Sequence, residues 1–203
     1  MALEFIRLSD SHQIDAHAPG IASLIYESGP TFFCALFGDE RTAVNVLAQW
    51  VRRGTSEFSG TRATLALESG TPAGMFIALA GAETTACRRS DLLALMQQAR
   101  GDRSELVKKL KALGELTAPV LPDDYYIRTV AVDARQRRRG LGRAIVEHAM
   151  DAGRAAGFRA FRLDVDADNE AALRLYRTLG LKQIAEGAAP DYGLRMFSMR
   201  RED

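Results

Sequence analysis

The sequence predicts an α/β fold: a mixed, twisted sheet of six to seven strands with helices on both faces, and a helical insertion between strands three and four. Three observations predict it. Residues 125–132 are dense in β-branched and aromatic side chains. They run into a turn rich in glycine and arginine, after which Leu141, Ile145, Val146, Ala149 and Ala152 recur at helical spacing. A second strand and helix follow at 160–180, and a strand–helix–strand path of this length makes a parallel, right-handed pair. Upstream, two alternating or apolar runs at 61–68 and 72–80, joined by Ser69, Gly70 and Thr71, form a hairpin.

At 203 residues the chain can bury a full core without disulfide or metal staples and reads as one domain over 1–203. Its 27 basic and 26 acidic residues nearly cancel, so no global field recruits nucleic acid or membrane and electrostatic specificity must be local. Cys34 and Cys87 show neither C-x-x-C nor metal-ligand spacing, which suits a reducing compartment and implies no metal. The start lacks a basic region followed by an apolar run, and no apolar run approaches the ~20 residues that cross a bilayer. A cytoplasmic location is the expectation.

In chain order, residues 4–8 alternate and give a first strand. Ser9 and Asp10 offer cap or turn chemistry, and a helix beginning near Pro19 carries Ile21, Leu24 and Ile25 before stopping around Gly29 and Pro30. Phe32, Phe33, Leu36 and Phe37 form an apolar patch, read as core packing with a pocket wall as the alternative. Asp39 then caps a second helix with Ala43, Val46, Leu47, Trp50 and Val51 on one face. In the hairpin, Ala73, Gly74, Ala78 and Ala80 are small, which implies a close approach by another backbone or side chain.

The insertion, about 84–121, carries two helical patterns. The first is Leu92, Leu93, Leu95, Met96 and Ala99, capped by Ser90 or Asp91; the second is Leu106, Val107, Leu110, Leu113 and Leu116. Arg100, Gly101 and Asp102 punctuate them, and Lys108, Lys109 and Lys111 form a solvated face. Beyond the central unit, Leu163 and Val165 lie on one face of a strand, with Asp164 and Asp166 on the other. A helix starting at Asp168, Asn169 and Glu170 presents Ala172, Leu173, Leu175, Tyr176 and Leu179, and Gly180 ends it. Strands at 181–186 and 194–200, joined by a polar loop at 187–193 with Pro190 and Tyr192, close the chain.

The turn at 133–140 directs the chemistry. A strand feeding a glycine-containing turn that opens a helix leaves backbone N–H groups unpaired and pointing the same way, which suits an anion. Gly140 and Gly142 let a ligand approach the main chain closely. Read alone, Arg137, Arg138, Arg139 and Arg143 also fit an exposed basic loop or a nucleic-acid contact. The dinucleotide fingerprint fails, because no third glycine follows Gly142 at the required place.

Arg137, Gly140 and Gly142 match the R/Q-x-x-G-x-G/A signature, so the chain resembles the GCN5-related N-acetyltransferases (GNAT). Val130, Ala131 and Val132 look like that family's strand four at its usual distance from the turn. Downstream, Asn169, Ala172, Tyr176 and Gly180 resemble its N-x-x-A-x-x-x-Y-x-x-x-G-F motif. The resemblance is close over about 125–181 and holds elsewhere only in outline. It implies the acyl-CoA N-acyltransferase fold and acetyl-CoA as cosubstrate, with direct transfer of its acetyl group to an acceptor amine on a small molecule or peptide. No metal, nucleic acid or membrane is implied; a homodimer is left open, with the insertion as a cover or dimer surface.

By the same resemblance, the amides from Arg138 to Arg143, with Arg137, Arg139, Gly140, Leu141 and Gly142, cradle the coenzyme's pyrophosphate. The main chain of Val130, Ala131 and Val132 holds the pantetheine arm and polarises the thioester carbonyl, in a gap where strands four and five splay apart. Asn169 both starts its helix and contacts the arm, and Tyr176 protonates the departing thiolate, with core packing as the alternative. Two departures stand out: Ala134 replaces a common proline, and Arg138 stands where many relatives have glycine. Tyr126 occupies the position of some relatives' glutamate base, leaving Asp124, Asp164, Asp166, Tyr192 or a water chain. His12, His17 and His148 show no triad pattern. The missing base keeps a catalytically inactive coenzyme-A-binding sensor or interaction module as the second reading.

Overall fold

A computed structural model describes residues 3–98 and 103–203. Ala99, Arg100, Gly101 and Asp102, which the sequence places at the end of one inserted helix and in the break before the next, lie outside them.

Strand β1 (Glu4–Arg7) leads into α1 (Ser11–Glu27), whose N-cap Asp10 accepts the Gln13 amide at 2.8 Å. The helix therefore starts eight residues before the expected Pro19, which lies inside it. An interior proline costs a helix about 3 kcal/mol, because one amide is missing and the ring crowds the preceding turn. Ile14, Ala18, Ile21, Ala22 and Ile25, all buried, offset that cost. Gly29 and Pro30 turn the chain by 104° into α2 (Pro30–Phe37), so the aromatic patch is itself a short helix. Asp39 caps α3 (Glu40–Arg52) as expected.

The hairpin is β2 (Ala63–Glu68) and β3 (Thr71–Ala80), joined through Ser69 and Gly70, both at positive φ, as a tight two-residue turn requires. A Cβ on Gly74 would sit 2.6 Å from the Ala131 carbonyl oxygen and 2.7 Å from Ile145, the close approach its size implies. Next come α4 (Gly81–Gln98), α5 (Arg103–Gly114), β4 (Asp124–Val132), α6 (Leu141–Ala155) and β5 (Ala160–Asp166). The chain closes with α7 (Glu170–Thr178), β6 (Lys182–Ala189) and β7 (Leu194–Glu202).

Two expectations for this half need correction. Neither Ser90 nor Asp91 caps α4: the helix begins at Gly81, and Asp91 is buried, while Leu92 and Leu93 are 43% and 53% exposed. The face of α4 turned inward is Gly81, Thr84, Cys87 and Asp91, small or polar residues that a search for apolar spacing passes over. The loop at 187–193 is shorter than expected, since Gly187, Ala188 and Ala189 extend β6.

The sheet has the order β1-β2-β3-β4-β5-β7-β6. Every neighbouring pair is antiparallel except β4 and β5. One face is covered by α1, α2 and α3, around Ile21, Ile25, Leu47, Trp50, Met75 and Ile77. The other is covered by α6 and α7, around Phe76, Ile145, Val146, Phe161, Leu163 and Leu173. No single helix among the described residues is long and apolar enough to cross a membrane.

Candidate active site

The parallel pairing of β4 with β5 covers only Asp124 with Ala160, Tyr125 with Phe161, and Tyr126 with Arg162. Beyond Tyr126, β4 stays paired to β3 as far as Val132, while β5 stays paired to β7 as far as Asp166. The sheet therefore forks. From Ile127 to Val132 the main-chain groups of β4 that face away from β3 have no strand beside them. Buried backbone polar groups seek partners, so an open fork is a site for an extended ligand. The β3–β4 register also slips at Arg128, which has no partner on β3. Such a bulge re-aims the side chain.

At the far end of β4, Asp133 stops the strand and its carboxylate takes the Arg135 amide at 2.9 Å and the Arg135 guanidinium. Those hydrogen bonds hold the Asp133 carboxyl down at about 2. The chain then passes Arg138 at φ 63° and Gly140 at φ 82° before α6 begins. The φ of Arg138 gives a physical reason for glycine at this position in many relatives: the left-handed region costs an L-residue about 1–2 kcal/mol. Among the described residues, the amides of Gly140, Leu141 and Gly142 have no acceptor, and all three sit at the positive end of the α6 dipole. A Cβ on Gly140 would touch nothing, so the demand for glycine there is conformational. A Cβ on Gly142 would lie 3.6 Å from Leu175, ordinary contact, in keeping with a G/A position.

The arginines of this turn divide. Arg137 donates to the Val132 carbonyl at 3.1 Å and pairs with Glu27 at 3.0 Å. Arg139 forks onto both oxygens of Glu68 at 2.8 and 2.9 Å. Arg143 reaches Thr178 at 2.8 Å and Glu147 at 3.3 Å. These three fasten the turn to α1, β2 and α7, and Arg138 is left with no side-chain partner among the described residues.

Asn169 is the N-cap of α7, its Oδ1 accepting the Ala172 amide at 3.1 Å. The helix ends as Gly180 at φ 83° lets the Gly180 and Leu181 amides reach the Arg177 and Tyr176 carbonyls. Tyr176 is buried with Ile127, Leu163 and Val165, and Val130 and Val132 pack against the same cluster. Its hydroxyl makes no hydrogen bond to the described residues, and burial pushes it up to about 12, so it stays protonated at neutral pH.

Of the four side chains considered as a base, Asp124 and Asp164 are held in buried ion pairs. Asp124 is fully buried and paired with Arg200 at 2.7 Å. Asp164 takes the Tyr126 hydroxyl and the Ser198 hydroxyl, each at 2.8 Å, and Arg162 at 2.8 Å. Asp166 accepts the Asp168 amide at the end of β5, and the Tyr192 ring lies under Lys109 of α5. What sequence reading missed is a charged cluster on the face opposite α6. There Glu57 takes Arg88 at 2.7 Å and Arg128 at 3.2 Å. Its members are 31 and 71 residues apart in sequence, so no local pattern signals it.

A sheet that forks, with unpaired donors at the end of one prong and a protonated phenol on the adjoining helix, defines a class: α/β proteins whose opened strand offers a site to a long, anion-headed ligand. The chain belongs to the acetyltransferase (GNAT) family, whose profile matches residues 25–181. It is 39% identical over 64 residues to the [ribosomal protein bS18]-alanine N-acetyltransferase of Escherichia coli strain K12, a match covering 32% of this chain and 43% of that relative. The fold resembles an N-acetyltransferase of Staphylococcus aureus Mu50, with a TM-score of 0.70 at 16% identity over 98% of this chain and all of that one. It also resembles a putative acetyltransferase of Salmonella typhimurium solved with its cofactor acetyl-CoA, with a TM-score of 0.55 at 14% identity over all of this chain and 94% of that one.

Proposed function

We propose that this protein is an N-acetyltransferase that transfers the acetyl group of acetyl-CoA directly to an acceptor amine. The observation that carries the reading is the coincidence of the fork with the free amides of Gly140, Leu141 and Gly142. A diphosphate needs several convergent donors and a positive potential, and this turn offers both. Arg138 adds a guanidinium to the same anion, while Arg137, Arg139 and Arg143 act mainly by holding the turn in shape. Asn169 contributes its cap and, through its remaining amide, a contact to the arm between diphosphate and sulfur.

Bound there, acetyl-CoA supplies an activated acyl group on sulfur. The residues around it do the rest. Along Val130, Ala131 and Val132, the main-chain groups that face away from β3, those of Val130 and the Val132 amide, orient the arm, and an amide aimed at the carbonyl oxygen stabilises the charge that develops on it. An uncharged amine attacks the carbonyl carbon, the C–S bond breaks, and the proton lost by nitrogen is balanced by the one gained by sulfur. Tyr176 donates that proton, since burial keeps its phenol neutral. The amine's proton leaves through water.

The test is a Gly140→Asp/Gly142→Asp double variant, checked for its fold by circular dichroism. Two carboxylates in the cradle, one at a left-handed position, weaken coenzyme A binding by at least about a hundredfold in titration calorimetry. Parental affinity in a folded double variant would remove the cradle and the acyl-transfer reading with it.

A further inference from the structure

The charged cluster on the face opposite α6 is not used by the coenzyme cradle proposed above, and its chemistry is specific. Arg128 sits at the bulge, two residues past the last β4–β5 pair, and lies over Phe58 with its guanidinium carbon 4.5 Å from the ring centre. Arg88 approaches from α4 over the Tyr126 ring at 5.7 Å. The Nε atoms of both bind Glu57, one on each oxygen, and Glu57 is 4% exposed. The aromatic planes and the carboxylate fix both guanidiniums.

One carboxylate cannot satisfy two forks. The four terminal nitrogens of Arg88 and Arg128 bind nothing among the described residues, and none is sealed from solvent. Their side chains are 40% and 20% exposed. Two guanidiniums that share one carboxylate through their Nε atoms leave two forks free for a further oxyanion, in the bidentate manner arginine favours. Nearby Asp164 is compensated by Arg162, so the cluster of Arg88, Arg128 and Glu57 presents one net positive charge where the strands begin to part.

We infer that Arg88 and Arg128 are the acceptor-specificity clamp: the amine that this protein acetylates carries an oxyanion, a carboxylate or phosphate, a few bonds from its nitrogen. This rests on the proposed acetyl transfer and narrows its acceptor. A polycation is disfavoured by the same pair, since its remote charges would face two arginines. Glu57 positions the arginines and does not itself take the amine's proton.

The experiment uses the full chain and matched pairs of small amines: L-alanine against ethylamine, β-alanine against propylamine, and O-phosphoethanolamine against ethanolamine. Thiol release from acetyl-CoA gives kcat and KM for each. Calorimetry with the same compounds, with and without coenzyme A, reads binding even where nothing turns over. The anionic member of at least one pair is expected to exceed its neutral partner about tenfold or more in kcat/KM and in affinity, since hydrogen bonds to charged groups carry discrimination of that size. The carboxylate and phosphate arms tell which oxyanion fits.

In Arg88→Gln that preference falls by about tenfold or more through KM, while coenzyme A affinity holds. Neutral members that bind and react as well as anionic ones overturn the clamp, as does an unchanged preference in a folded Arg88→Gln. Anion binding without thiol release from any amine would instead keep the clamp and remove the acetyl-transfer reading.

Discussion

Tyr176 shows how one residue's surroundings set its use. Burial alone raises its phenol to about 12. It is thus a hydrogen-bond donor over the whole physiological range and a poor base. Tyr176→Phe removes the donor without opening a cavity. Thiol release in the presence of an accepted amine should fall about 10²-fold or more at unchanged coenzyme A affinity, the usual scale of general-acid help; an undiminished rate would leave Tyr176 as core packing only. Asp91 is the converse case. Desolvation lifts its carboxyl to about 6, against the Glu57 amide, the Ser56 hydroxyl and Arg53, whose Nη1 stands 3.8 Å away. A folded-state value above the unfolded one means that the native protein holds the extra proton between about pH 4 and 6. Stability is therefore lost as pH rises through that window and is level above it, by up to about 3 kcal/mol at full shift. In Asp91→Asn the contribution disappears. The parent's urea unfolding free energy, minus the variant's, should fall from pH 4 to 6 and then flatten; a flat difference throughout would assign the titration elsewhere.

At the scale of elements, legibility followed the kind of residue that each element buries. The β4–turn–α6 unit was readable because Leu141, Ile145, Val146 and Ala149 are large enough to mark a face and Gly140 marks a backbone demand. The start of α4 was not, because Gly81, Thr84, Cys87 and Asp91 earn their burial by closeness and hydrogen bonding. The first half of α1 carried a legible cap in Asp10 and legible spacing from Ile14, but Pro19 outweighed them although tertiary packing tolerates it. Glycines then show how the insertion is seated. A Cβ on Gly81 would lie 1.8 Å from the Leu121 carbonyl oxygen, and one on Gly187 would lie 2.4 Å from that of Leu116. The stretch 115–121 thus crosses the sheet pinned at both ends, with the Ala118 amide on Ser198 and the Ala118 carbonyl under Arg162. Gly187→Ala should therefore destabilise the protein by about 1–3 kcal/mol, as overpacking against a backbone does, visible as a lower denaturant midpoint at constant slope. An unmoved midpoint would show that the crossing stretch gives way without cost.

Across the whole molecule the fork is the organising feature, and its cause is the difference between local and long-range pairing. Strands β3 and β4 share a ladder through Gly74 and Val132, and β5 and β7 share one through Asp166 and Met196. Only three rungs join the two half-sheets, so their relative position depends on the packing of α6 and α7 below and on the crossing stretch above. The fork could be named from the family resemblance, but neither its depth nor the Glu57 cluster beside it could be read from residue types, because both are set by partners far apart in sequence. A ligand lying in the fork replaces the missing rungs, and this makes a distinct prediction for hydrogen exchange. Amides of β4 from Ile127 to Val132 that do not face β3, with those of Gly140, Leu141 and Gly142, should exchange fast in the free protein and slow down with coenzyme A. Amides in the β1–β2 ladder, away from the fork, should change only as much as global stabilisation requires, about 2.7 kcal/mol at a hundredfold excess over Kd. Uniform protection across all strands, with no excess at the fork and the cradle, would place the ligand elsewhere on the molecule.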